Sequence, residues 1–172
     1  MNRLPQLREL MLRSPPLTLA VAESVTCGGV QARIGGISGA SDFFLGGITA
    51  YNLEQKVRHL GVVRAAAAAC GCVSAEIAGQ MARGAAALFG ADLGVATTGW
   101  AEPPAACGAQ AWSGCEPFAF WAVTRRGSAG EWQTRTGRVV CLGAARVAAQ
   151  AMIADTVLAE LLAHLQATRG SV

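Results

Sequence analysis

Apolar and polar positions along this chain change their period several times, and the changes mark out alternating helices and strands. In residues 4–13, apolar side chains at Leu4, Leu7, Leu10, Met11 and Leu12 recur at helical spacing, which predicts a short amphipathic helix. Ser14-Pro15-Pro16 stops it. Residues 17–22 form an unbroken apolar run between turn signals, the pattern of a buried strand. A helix is predicted over 26–34 with Thr26 as its N-cap, and residues 38–41 read as a loop.

Residues 43–51 predict a second strand, weakened or bulged at Gly46-Gly47. Asn52 then caps a helix to His59, with Glu54 in the first turn, where the helix dipole favours a carboxylate. A short alanine helix at 65–69 is interrupted by Cys70-Gly71-Cys72. Ser74 opens a longer helix to Phe89, with Gly90 at its C-cap. Residues 93–98 predict a third strand and 99–114 a long loop, while 118–124 and 132–140 form a hairpin turned through 125–128. A closing helix covers 144–164. This alternation predicts a three-layer α/β/α sandwich with a mixed, mainly parallel central sheet. With no internal repeat and no long linker, residues 1–172 read as a single domain.

Composition narrows the function. A chain of 172 residues, 52% hydrophobic and only 15% charged, has the size and the apolar content to bury a core. The net charge of +3 is small, and Lys and Arg are scattered rather than interleaved with aromatics, which argues against a nucleic-acid partner. An anionic small molecule needs only a few local cations, so that class stays open. The most apolar stretches are broken by Gly, Arg or Glu, so no membrane span is expected, and the amino terminus lacks the apolar core of a signal peptide. A soluble, cytoplasmic protein follows as the expectation, with its six cysteines reduced. The single residue between Cys70 and Cys72 is short for a zinc pair, Cys107 and Cys115 lie in the long loop, and neither a metal nor a cofactor is expected.

Two segments carry candidate chemistry. Ala22-Glu23-Ser24-Val25-Thr26-Cys27-Gly28-Gly29 sits where a strand ends and a helix begins. Ligands of open α/β sheets gather at such ends, and helix N-termini offer unpaired N–H groups to anions. The same pattern also fits an ordinary capped helix. The second segment runs from Gly46 to Arg58 and includes Tyr51 and Lys56. The two histidines, His59 and His164, have no evident acid partner, so a Ser-His-Asp triad is a poor fit. A lysine of lowered pKa helped by a tyrosine hydroxyl can serve a serine instead. A solvated surface lysine is the other reading of Lys56.

These segments resemble the CinA C-terminal domain family. The family pattern Ala-Glu-Ser-x-Thr-Gly-Gly is close to Ala22-Glu23-Ser24-Val25-Thr26, and Ser38-Gly39-Ala40-Ser41 follows in order. Phe44-Leu45-Gly46-Gly47-Ile48-Thr49-Ala50-Tyr51 and Asn52-Leu53-Glu54-Gln55-Lys56 match the next motif, and Val73-Ser74-Ala75-Glu76 and Ala91-Asp92-Leu93 resemble later segments. The resemblance implies a PncC-type amidohydrolase of pyridine nucleotide salvage, which converts nicotinamide mononucleotide to nicotinic acid mononucleotide and ammonia without a metal. It implies Ser24 as nucleophile, Tyr51 and Lys56 in proton transfer, and backbone N–H groups near Thr26 to Gly28 around the oxyanion. Substrate contacts are implied at Thr26, Cys27, Gly28, Gly46, Gly47, Arg58, Thr98, Gly99 and Arg146. The implied partners are a small-molecule nucleotide and further copies of the chain in a homodimer or higher homo-oligomer.

Three departures point to an alternative. Cys27 stands where the motif has its first glycine, and Trp100-Ala101-Glu102-Pro103-Pro104-Ala105 replaces a glycine-rich loop. Two prolines remove N–H donors, and Glu102 would repel a phosphate. Gly143-Ala144-Ala145-Arg146 lacks the acid of the family's Gly-Asp-Arg region. The alternative is a catalytically degenerate CinA-like homologue acting as a nucleotide-binding or structural protein.

Overall fold

The computed structural model describes residues 4–102, 116–127 and 129–170. The elements in chain order are α1 (Leu4–Leu12), β1 (Leu19–Glu23), α2 (Gly29–Gly35), a 3-10 turn (Ala40–Asp42), β2 (Phe44–Thr49), α3 (Leu53–Leu60), α4 (Arg64–Ala69), α5 (Ala75–Phe89), β3 (Leu93–Trp100), β4 (Phe118–Arg126), β5 (Trp132–Val140) and α6 (Arg146–Arg169). Local chemistry explains several boundaries. The Asn52 side chain accepts from the Gln55 N–H at 3.0 Å, and Ser74 accepts from the Ile77 N–H at 3.2 Å, so both residues cap helices. Thr26 does not: α2 starts at Gly29 behind Gly28, and the Thr26 hydroxyl instead meets that of Thr97 at 2.7 Å.

The strands form one sheet in the order β2-β1-β3-β4-β5. β1 is parallel to both neighbours, pairing five residues with β2 and four with β3. β3 and β4 pair eight residues antiparallel, and β4 and β5 pair nine. The expected mainly parallel sheet is thus corrected to a mixed sheet that is mostly antiparallel. The cause lies in strand length: β1 has only five residues, whereas the hairpin strands have nine each and β3 extends to Trp100 to match β4.

Side chains alternate across the sheet, and each face has its own core. Leu19, Val21, Leu93, Val95, Trp121 and Val123 pack under α1, α2 and α6. Ala20, Ala22, Ala96 and Ala122 face α5 and its neighbours. This second face is built of small residues, and it draws the helices close. A Cβ on Gly94 would lie 2.0 Å from the Ala82 carbonyl oxygen of α5, and one on Gly84 of α5 would lie 2.1 Å from that of Leu60. Only glycine permits these approaches. Among the described residues α6 alone is long and apolar enough to cross a membrane. In this compact domain it lies along the sheet and buries Ala149, Ile153, Ala154, Val157, Leu161, Leu162 and Leu165.

Candidate functional site

β1 delivers two polar residues to the end of the sheet. Glu23 is fully buried, and its carboxylate accepts from the N–H groups of Gly28 (3.0 Å), Val30 (3.1 Å) and Gln31 (2.8 Å). A buried carboxylate is tolerable because it is so fully bonded, and because the start of a helix favours negative charge. The Cys27 N–H is also committed, donating to the Ser24 carbonyl at 3.2 Å. Cys27 itself adopts φ 49, the left-handed region where a Cβ is disfavoured and where glycine would sit without strain.

Ser24 turns the other way. Its hydroxyl oxygen accepts from the Lys56 amine at 2.9 Å, and the same amine donates to the Tyr51 carbonyl at 3.2 Å. The Asn52 cap sets the rotation of α3 so that Lys56 and Leu60, one turn apart, both point inward. Lys56 is only 2% exposed. Burial pushes its amine below the ordinary lysine value, with the nearby Cys72 thiol partly opposing that shift. The expectation of a solvated surface lysine therefore fails, since the side chain fills an interior position beside Ser24.

A cleft of about 390 Å³ opens over this pair. Its walls include Tyr51, Asn52, Cys72, Trp100, Glu102 and Arg146, together with Thr98 and Gly99. Thr98 is buried and donates its hydroxyl to the Cys72 carbonyl at 2.7 Å, which pins the turn where Cys72 takes φ 66. At the mouth, Arg146 donates to the Tyr51 hydroxyl at 2.8 Å and forms an ion pair with Glu102. The tyrosine hydroxyl thus faces the rim, and the lysine engages the tyrosine backbone.

The structure brings Ser24, Tyr51, Lys56, Thr98, Gly99 and Arg146 together around this cleft. It leaves Thr26, Cys27 and Gly28 outside the lining, in the turn before α2. Gly46 and Gly47 lie in β2, where added side chains would meet Phe89 and Gln31 of the covering helices, so they serve packing. Arg58 is exposed on α3, outside the cleft lining. Pro103, Pro104, Ala105, Cys107 and Cys115 lie outside the described residues. Sequence reasoning missed Cys72, whose place in the wall depends on a positive φ that its side-chain type does not announce. Among the described residues, no group of three or more His, Cys, Asp or Glu side chains is arranged to hold a metal ion.

The layered α/β/α fold and the sequence that builds it both have counterparts among known proteins. The model of the CinA C-terminal domain matches residues 2–156, and the chain belongs to that family. A CinA-like protein of Picosynechococcus sp. is 50% identical over 93 residues, which are 54% of this chain and 22% of the relative. One from Geobacter sulfurreducens is 46% identical over a segment with the same shares, so the match spans about a fifth of the length of these curated relatives. Among solved structures, the competence damage-inducible protein A of Klebsiella pneumoniae superposes with a TM-score of 0.77 at 28% identity, covering 92% of this chain and 91% of that one. The competence/damage inducible protein CihA of Agrobacterium tumefaciens gives 0.75 at 27% identity, covering 96% and 97%.

The expected nicotinamide mononucleotide amidohydrolase is corrected by these findings. The matched family is defined as the CinA C-terminal domain, and the solved relatives are described as competence or damage-inducible proteins. The geometry supplies the physical reason. The Cys27 and Gly28 N–H groups, expected to stabilise an oxyanion, already bond to Ser24 and Glu23. Tyr51 offers its hydroxyl to Arg146 rather than to Ser24 or Lys56. The hydrolase, deamidase and nucleotide-salvage readings fall with that activity.

Proposed function

We propose that this chain is a nucleotide-binding domain of the CinA C-terminal type that holds its ligand without hydrolysing it. The observation that carries this reading is the commitment of the Cys27 and Gly28 N–H groups to the Ser24 carbonyl and the Glu23 carboxylate, which leaves neither for a developing oxyanion. The cleft volume is within the range of small-molecule sites. Tyr51 and Trp100 offer aromatic faces to a heterocyclic base, and Ser24 and Lys56 offer a donor and acceptor pair at the floor. A cytoplasmic location and a homo-oligomeric state belong to the same proposal, as does one domain extending over residues 1–172.

Calorimetric titration with nicotinamide mononucleotide, with ammonia assayed in the same samples, tests the reading. The expected result is saturable binding, weakened by Trp100→Ala, with ammonia release no faster than in Ser24→Ala. Ser24-dependent ammonia release would overturn it, and so would the absence of any saturable heat with mononucleotides.

A further inference from the structure

The sheet has a second polar end. α6 is 24 residues long, so its C-terminal end lies roughly 35 Å from Arg146 and the cleft mouth. There, β4 ends beside the start of β3, with Arg125 opposite Leu93 in the register. Arg125 and Arg135 share the face of the sheet that α6 covers, because both are in step with Val123, a member of the core beneath that helix. His164 and Arg169 come from α6, and Arg13 from the segment after α1.

We propose that Arg125, flanked by Arg135, His164 and Arg169, forms a second ligand site that takes a phosphate-class oxyanion. Three observations converge on it. The Arg125 guanidinium has no hydrogen bond or ion pair with any described residue. Its neighbours are mostly cations: burial first, then Arg125 and Arg13, act against the charge of Arg169, and burial first, then Arg135 and Arg125, against a proton on His164. The carboxylates nearby are already engaged. Glu160 stands 3.0 Å from Arg135, without the alignment of a hydrogen bond, and Asp92 accepts from the Thr18 N–H and hydroxyl at 2.8 and 2.7 Å. Finally, Arg169 Nε and His164 Nε2 are buried without a hydrogen-bond partner.

Capping of α6 accounts for part of this cluster. Arg13 donates to the Arg169 carbonyl at 2.7 Å, as a cation at a helix C-terminus should, and Arg169 Nη2 donates in return to the carbonyls of Arg13 and, at 2.7 Å, Pro15. It does not account for Arg125, which is on a strand, or for the two buried nitrogens. An oxyanion with several acceptor oxygens would relieve the mutual repulsion and match the planar fork of Arg125, the one guanidinium of the cluster with no partner among the described residues. The site is independent of the nucleotide reading of the cleft.

Titration of the full chain with inorganic phosphate at fixed ionic strength, followed by calorimetry and by NMR of the His164 ring, decides the matter. The expected result is saturable binding with Kd about 1 mM or tighter, with the His164 pKa rising when phosphate is bound. Arg125→Gln weakens binding about tenfold or more, and Arg125→Lys less. Arg126→Gln, on the opposite face where Arg126 lies over the Trp132 ring at 5.8 Å, leaves it unchanged, as does Lys56→Met in the cleft. Absence of saturation at ~10 mM phosphate, equal losses in the Arg125 and Arg126 variants, or loss in Lys56→Met would each overturn the site. Circular dichroism of each variant separates a binding defect from misfolding.

Discussion

At the carboxyl end of β1, Glu23 is fully buried yet bonded by three backbone N–H groups, and Arg146 is matched by Glu102. At the opposite end of the sheet, Arg13, Arg125, Arg135, His164 and Arg169 gather with Glu160 already paired to Arg135, and two buried nitrogens lack partners. The comparison teaches that charge at a strand end is not by itself a sign of reactivity. Where each polar group is already compensated, the end is a finished structural unit that can hold a ligand in place. Where cations exceed anions, the protein is stabilised by recruiting the missing charge from outside.

Breaking the compensated end should have the largest effect. Glu23→Ala strands three amide donors, and chemical denaturation should show a loss of about 3 kcal/mol or more. Glu23→Gln, which keeps the volume, should lose less. If both variants unfold at the parent's midpoint, Glu23 is not the keystone of this end.

Next in size is the pH response of Lys56. Its folded amine gives up its proton more readily than the unfolded one, so the unfolded chain binds more protons between the lowered folded value and 10.5. Stability from this group therefore rises with pH across that window, and the burial penalty is full below it. Lys56→Met should flatten that alkaline slope, as read from denaturation midpoints over pH. His164 behaves alike at acid pH, since its folded value is lowered from 6.5 by burial, then Arg135 and Arg125. Stability from His164 is present above 6.5 and falls as pH drops through the folded value, and His164→Gln should remove that component. An unchanged acid profile would show that the far end does not disfavour a further cation.

Cys27→Gly is smaller. It relieves a left-handed residue and should raise stability by roughly 0.5–1 kcal/mol, the strain released less the entropy glycine adds to the unfolded chain. A fall in the melting midpoint would refute the strain argument. Glu102→Gln should have the least effect on stability, because the pair is exposed, but it frees Arg146 and should tighten mononucleotide binding a few-fold. Unchanged affinity would mean that Arg146 does not reach the ligand.

Much of the fold was legible because it is written in local patterns. The Asn52 and Ser74 caps, the Gly90 terminator and the apolar run of β1 all stand where their side-chain chemistry put them. Strand direction was less legible, since the balance of parallel and antiparallel pairing depends on how far β3 extends beyond β1. At the candidate site, Ser24 and Lys56 lie at recognisable junctions, yet nothing local to Lys56 announces its burial. Nor could the sequence show that Glu23 reaches forward to Gln31, or that Arg146 would bridge Glu102 and Tyr51, which depend on contacts made only when the layers assemble.

The glycine contacts of α5 bear on how the cleft answers force. β3 touches α5 through Gly94, and α5 touches α3 through Gly84, in each case with backbone against backbone. α3 in turn carries Lys56. The chain of contact from sheet to amine thus contains little free volume to squeeze out, and dense interiors are poorly compressible. Under hydrostatic pressure, loosely filled surface grooves should contract and shift their amide resonances, while the 2.9 Å spacing of Ser24 and Lys56 stays nearly constant. The floor of the cleft is in this sense an incompressible gauge, and the adaptation that a ligand demands must come from the rim.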